Sequence, residues 1–332
     1  MASCAASPPR RPVFFLHVSS AGGSSLCALA QSQPCARVPS CGVRGTDDGL
    51  NKNCNLQCAH PWDWRQHCTA PACAPPAKPC RPPYKPGCAG LSRYVRRRNL
   101  SFVASETLLA HGLCPEFAYV AVVRDPVARL QSQLERMSAT PNHRLHAMMA
   151  RPRVFNASET TSLMGTAAVD NYLTRLLLGP SAFFLPLRGI NASHALAASR
   201  VLARFAAVIP LEDLGGAGAR LLQQKVGWRG CPRRTNAHSG AAGGANGGGG
   251  KGGGGGKGGG GRGGDGRRRL AQRQALGARS LQTLRELNRF DIGLHEQARR
   301  ELRGRAAAAI VAPDCSAPAA AIGHRVRELG CV

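Results

Sequence analysis

Pro12-Val-Phe-Phe-Leu-His-Val-Ser-Ser-Ala-Gly-Gly-Ser-Ser-Leu26 decides the fold. Its first seven residues form a short β-branched and aromatic run with no alternation, the signature of a strand buried on both faces. Ser19 to Ser25 then supply a glycine-containing loop, and Leu26-Cys-Ala-Leu-Ala30 has helical propensity. A strand, glycine loop and helix in succession build an anion cradle, because N–H groups and the macrodipole at a helix start favour phosphate or sulfate. A plain tight turn is the competing reading of the same glycine pair.

The same pattern recurs further on. Leu100-Ser-Phe-Val-Ala104 is a second expected strand, and Phe117-Ala-Tyr-Val-Ala-Val-Val123 a third, leading into Arg124-Asp-Pro126. Helices are expected from Val127 to about Met137 and from Asp170 to Leu178. Phe205 to Leu211 is expected as a further strand, and Arg267 to Arg303 as helical. Strands alternating with helices indicate an α/β domain of three layers around a mainly parallel central sheet. A ligand would sit at the carboxyl ends of those strands. Arg-Asp-Pro by itself also reads as a simple helix start, with Asp as cap and Pro at the first position.

Two stretches interrupt the domain, which is expected over residues 12–302 with a tail at 303–332. Residues 31–90 are rich in proline and, with Cys27, hold nine of the fourteen cysteines. Disulfides in an oxidising compartment, zinc ligation and free thiols all remain open for them, although the spacing lacks paired C-x2-C units. Residues 239–266 contain nineteen of the forty glycines and read as a disordered loop, so the glycine excess is one insert and collagen is excluded.

The chain of 332 residues carries 44 lysines and arginines against 18 acids, a net charge of +26. Compositional bias of the genome explains this, or a polyanionic partner does. A nucleotide triphosphatase is excluded because no Gly-x4-Gly-Lys-[Ser/Thr] occurs. RNA binding has only Gly261-Arg-Gly-Gly264, Arg267-Arg-Arg269 and a 5% aromatic content behind it, so nucleic acid is not an expected partner. No apolar run is long enough to span a bilayer. Three Asn-x-Ser sequons, at Asn99, Asn156 and Asn191, together with the cysteines favour the lumen of the secretory pathway. Membrane attachment is expected only through an anchor that this sequence does not contain.

Residues 17–26 and 124–132, the latter Arg-Asp-Pro-Val-Ala-Arg-Leu-Gln-Ser, resemble the two signature loops of the carbohydrate sulfotransferases. The closest likeness is to the heparan-sulfate type and its green-algal relatives. There the first loop is similar to His-x-Pro-Lys-Thr-Gly-Gly-Thr-Thr and the second to Arg-Asp-Pro-x-x-Arg-x-x-Ser. Asp170-Asn-Tyr-Leu-Thr-Arg-Leu-Leu-Leu-Gly179 and Asn288-Arg-Phe-Asp-Ile-Gly-Leu-His-Glu-Gln-Ala298 are also similar to the family. The resemblance implies a P-loop-like domain that uses 3′-phosphoadenosine 5′-phosphosulfate as co-substrate, with no metal, and a carbohydrate or anionic polysaccharide as acceptor. A Golgi lumen or membrane location follows from it.

By position, the resemblance assigns Ala21, Gly22, Gly23, Ser24 and Ser25 to the 5′-phosphosulfate, and Arg124 and Ser132 to the 3′-phosphate. Asp170, Asn171, Thr174 and Arg175 are placed near donor or acceptor. Ser20 occupies the position of the family's loop lysine, which offsets charge as the sulfuryl group leaves. Arg175 is the first candidate to substitute for that lysine; failing a substitute, the chain binds donor with impaired turnover. Histidine suits the base that accepts the hydroxyl proton. His60, beside Pro61-Trp-Asp-Trp64, is the candidate, with His67 and His111 competing and His17 in a positioning role.

Overall fold

The computed structural model describes residues 11–33, 36–38, 54, 56, 87–106, 108–109, 112–136, 140–150, 166–230, 232 and 276–307. The expectations about residues 239–266 and 267–275 lie outside these, as does most of residues 31–90. Among the described residues, four strands form one all-parallel sheet: β1 Val13–Leu16, β2 Phe102–Ser105, β3 Ala118–Val123 and β4 Ala207–Pro210, in the order β2-β1-β3-β4. Val13 aligns with both Phe102 and Ala118, and Val120 with Ala207, so every strand runs toward the same edge.

Helices connect and flank them, as parallel strands require. They are α1 Gly23–Gln31, α2 Cys88–Arg97, α3 Pro126–Arg136, α4 Pro141–Met149, α5 Tyr172–Leu178, α6 Pro180–Phe183, α7 Ala192–Leu202, α8 Ala217–Val226, α9 Ala278–Leu287 and α10 Arg289–Ala307. The expected strands and the earlier helices appear with ends moved by a few residues, whereas the described part of the stretch expected as helical from Arg267 to Arg303 is two helices, α9 and α10, that meet at Asn288. The last helix runs on to Ala307, into the segment read as a tail, and α2 starts inside the cysteine-rich stretch. Among the described residues, no helix is long and apolar enough to cross a membrane.

Successive strand side chains serve opposite faces. Val13, Phe15, Phe102, Ala104, Val120, Val122, Ala207 and Ile209 pack with Leu26 and Leu29 of α1, Leu221 and Leu222 of α8, and Trp228. Phe14, Leu16, Val103, Tyr119, Ala121 and Val123 pack with Leu91 and Val95 of α2, Leu173 and Leu176 of α5, Leu202 of α7 and Leu294 of α10. The sheet is therefore the middle of three layers. Phe15 and Leu16 are both fully buried, each worth about 1.5–3 kcal/mol in hydrophobic transfer. This is why the run lacks alternation.

Among the described residues, two disulfides pin the layers. Cys27 of α1 joins Cys54, with Cα atoms 5.6 Å apart, and Cys88 at the start of α2 joins Cys114, at 5.3 Å. Of the nine cysteines for which alternatives were left open, Cys27, Cys54 and Cys88 take the disulfide form, Cys88 with Cys114 from outside that stretch.

A buried polar latch joins the two later family-like segments. Asn171 and Asn288 anchor it: the Asn171 backbone amide donates to Asn288 Oδ1, while Asn171 Oδ1 accepts from the Phe290 and Asp291 amides at the start of α10. Asp291 in turn caps α5, accepting from the Leu173 and Thr174 amides and from Thr174 Oγ1 at 2.6, 2.9 and 2.7 Å. Burial is the chief cause that raises the pKa of Asp291, against those hydrogen bonds.

Candidate functional site

The β1 exit turns sharply. The Ala21 amide donates to Val18 O, Ser20 has φ 63° and Gly22 φ 84°, both left-handed, and α1 begins at Gly23. Gly22 has two reasons to be glycine: the left-handed backbone, and a Leu211 methyl that would lie 2.6 Å from a Cβ. At Gly23 a Cβ would fall on the His17 ring. The glycine pair thus satisfies the tight-turn reading, and the same turn aims the N-terminal end of α1 out of the sheet's exit edge.

The β3 exit follows the helix-start rule. Asp125 Oδ1 accepts from the Ala128 amide at 2.8 Å, and Pro126 opens α3. The motif's two arginines diverge. Arg129 turns inward, where it donates to Ala168 O and to Gln133 Oε1 and lies 4.5 Å over the Tyr172 ring. Arg124 stays half-buried and donates from Nη1 to Ser20 O at 3.2 Å. That bond makes the two strand-exit loops neighbours in one surface. Ser132 is half-buried further along α3, Ser25 is buried and Ser24 half-buried.

The other two strands also end in charge. At the β2 exit Glu106 faces His17, with Oε2 3.6 Å from Nδ1 and side-chain exposures of 17% and 4%. The His17 ring stacks on Phe15 at 5.4 Å, and Gly23 lies against its Nε2 edge, so one face and both nitrogens are held by the protein. At the β4 exit Glu212 Oε2 lies 3.4 Å from His295 Nε2 of α10. The His295 hydrogen bond is the chief cause that lowers the Glu212 pKa, the Arg124 charge adds to it, and partial burial opposes both.

Arg175 occupies a different kind of place. Its guanidinium is fully buried and donates to the carbonyls of Asp170, Ala182, Phe183, Leu185 and Pro186 and to the Asp170 carboxylate at 2.5 Å. Asp170, Asn171 and Thr174 belong to the latch. Asp170 and Arg175 are committed to each other and to the 182–188 segment, Asn171 and Thr174 to α9 and α10, and the strand-exit cluster is made of others. His60, His67 and His111 lie outside the described residues. Glu106 and His295 were not singled out from the sequence; Glu106 lies two residues beyond the expected end of the second strand, and only the pairing of β2 with β1 brings it to His17. A cleft of about 340 Å³ between α4 and α9, lined by Asn142, His146 and Arg279 among others, shares no residue with this edge.

No family model, curated protein or solved structure matches the chain.

Proposed function

We propose that the chain is a P-loop-like sulfotransferase that moves a sulfuryl group from 3′-phosphoadenosine 5′-phosphosulfate to a carbohydrate hydroxyl. The observation that carries this reading is the Arg124 Nη1 to Ser20 O contact, which joins the glycine loop and the Arg-Asp-Pro loop at the sheet's exit edge. That edge is where open α/β sheets bind ligands. The amides and hydroxyls of Ala21 to Ser25 at the start of α1 suit the 5′-phosphosulfate, and Arg124 with Ser132 suits the 3′-phosphate.

In such a transfer the acceptor oxygen forms a bond to sulfur as the bond to the nucleotide's phosphate oxygen breaks. The electron pair stays on the nucleotide, and the acceptor's proton goes to a base. Among the described residues Glu106 fits that role: a partly exposed carboxylate at a strand exit, oriented by a buried histidine that is itself locked by Phe15 and Gly23. His60 competes for it.

The charge that appears on the leaving oxygen has Ser20 beside it rather than a lysine. A hydroxyl donates one hydrogen bond without offsetting charge, and loss of such an electrostatic contact costs about 3–4 kcal/mol, roughly 10²–10³ in rate. Arg124 is the cation that contacts the Ser20 backbone. A second reading, a donor-binding protein with impaired turnover, is favoured by Ser20 alone.

Labelled phosphosulfate donor and a panel of neutral and anionic polysaccharides test both, with wild type and Ser20→Lys. Transfer by the wild type, lost in Glu106→Gln and Arg124→Ala, supports the enzyme. Donor-dependent thermal stabilisation without transfer, and transfer gained in Ser20→Lys, supports the second reading. No donor response in any variant rejects both.

A further inference from the structure

The strands all start at one edge, and that edge is basic. The α2 helix carries Arg93, Arg96 and Arg97 on the side away from buried Leu91 and Val95, and Arg98 follows at its C-cap; all four are exposed. Backbone bonds bring two distant arginines to the same corner. The Val13 amide donates to Ser101 O, and the Ser101 amide to Arg37 O, each at 2.9 Å, while the Leu100 amide ties back to Val95 O. Exposed Arg11 precedes β1 and exposed Arg37 lies over the start of β2. Three separate segments therefore place six arginines around one corner. Arg204 and Glu116, both exposed, lie at the starts of β4 and β3.

The balance differs from that of an ordinary solvated face. On α10, Arg300 and Arg305 each sit one turn from an acid, Glu296 and Glu301. The α2 helix contains no acidic residue, and among the described residues its arginines have no carboxylate within ion-pair distance. Six like charges held together repel one another in the free protein, and an anion that neutralises them relieves this.

We infer that the α2–β2 corner is a docking surface for an anionic polysaccharide bearing sulfate and carboxylate groups. Guanidinium forks match those oxyanions bidentately. Binding of single-stranded RNA calls for stacking aromatics, and among the described residues none is exposed on this corner; Tyr94 is half-buried against the core. Membrane insertion calls for exposed apolar side chains beside the charge, and the outer face of α2 presents arginine. The corner is separated from the strand exits by the four-residue length of β1 and β2, roughly 13 Å. A ligand touching both is a polymer, not a monosaccharide. This deepens the carbohydrate-acceptor reading and rests on it for its role in turnover, while binding itself is measurable without donor.

The experiment compares full-length wild type, Arg96→Ala/Arg97→Ala/Arg98→Ala, and a control that removes equal charge elsewhere, Arg285→Ala/Arg300→Ala/Arg303→Ala. Binding to heparin is read by fluorescence titration and by salt elution, beside a poly(U) RNA and vesicles of phosphatidylcholine with phosphatidylserine. The expected result is on the order of tenfold weaker heparin binding in the α2 variant at physiological salt, with the control changed less than about twofold. Equal losses in both variants overturn the proposal, as does RNA or vesicle binding that matches heparin and falls in the same way. Where the alanine variant does not fold, phenylglyoxal labelling of the wild type decides. Heparin protection of Arg93 to Arg98 above other arginines supports the corner, and uniform protection overturns it. Failure of sulfuryl transfer leaves this binding result standing, and the converse also holds.

Discussion

Replacing Gly23 by alanine puts a methyl group into the His17 ring. That ring has nowhere to go: Phe15 stacks on it, Glu106 lies 3.6 Å from Nδ1, and the side chain is 4% exposed. Overpacking of this kind costs about 1–3 kcal/mol. Alanine at the first position of α1 returns up to about 1 kcal/mol in backbone entropy and helix propensity. The net expectation for Gly23→Ala is destabilisation of about 0–2 kcal/mol, or up to about 8 °C in Tm for a domain of this size. His17→Ala removes the obstruction, so in that background Gly23→Ala keeps only its favourable part. The two substitutions should couple by about 1–3 kcal/mol in a double-mutant cycle read by urea unfolding. Additive effects would show that His17 does not dictate glycine at this position, and the account of the β1 exit would fail with it. Donor affinity adds a second readout, since displacement of the ring shifts the loop that is proposed to hold the phosphosulfate.

Arg175→Met leaves the Asp170 carboxylate buried beside an apolar side chain and orphans five carbonyls; a loss of about 3–5 kcal/mol in unfolding free energy is expected, and an inactive but fully stable variant would contradict the buried placement. Asp291 and Glu212 give opposite pH trends. The raised value of Asp291 supplies stability at acid pH that is lost as pH rises through its folded value, whereas the lowered value of Glu212 supplies stability at neutral pH that is lost as pH falls through its folded value. Urea midpoints against pH for Asp291→Asn and Glu212→Gln should each lack one of these limbs. Reduction of Cys27–Cys54 and Cys88–Cys114, which close loops of 27 and 26 residues, should cost about 2–4 kcal/mol each. A thermal scan with and without reductant that shows no shift would deny both bridges.

What could be read in the sequence followed from how local its cause is. The β1 run announces itself because a strand covered on both faces needs apolar side chains throughout, and the glycine pair marks the turn because Gly22 takes left-handed backbone and Gly23 has no room for a Cβ beside His17. Asp125 and Pro126 are a helix start in any context. By contrast α7 begins at Asn191, whose side chain accepts from the Ser193 and His194 amides in a capping box, yet the same Asn-Ala-Ser letters also spell a sequon. The α2 helix was hidden by arginines outside and by its position at the end of a proline-rich stretch. Glu106 acquires meaning only once β2 is known to lie beside β1, a pairing across nearly ninety residues of chain that no local spacing reports.

The latch shows most clearly why family-like letters and site membership are separate matters. Asp170, Asn171, Thr174 and Arg175 form a dense polar cluster, and dense polar clusters suggest chemistry. Asn171 and Thr174 spend their polarity on Asn288 and on the first turn of α10, and Asp170 and Arg175 spend theirs on each other and on the carbonyls of Ala182, Phe183, Leu185 and Pro186, so the cluster holds α5 to α10 and to α6. That consumption still serves the exit edge. The α10 helix, fixed at its first turn by Asn171, carries His295 to Glu212, and Glu212 stands beside Arg124, which reaches Ser20. The buried latch therefore sets the position of the outermost charges without touching any ligand. On this argument, Asn171→Ala should lower stability by orphaning the Phe290 and Asp291 amides, at about 1–3 kcal/mol each. It should also weaken donor binding through displacement of α10, with donor affinity measured by calorimetry below the unfolding transition. A stable variant with unchanged donor affinity would sever the chain from latch to site.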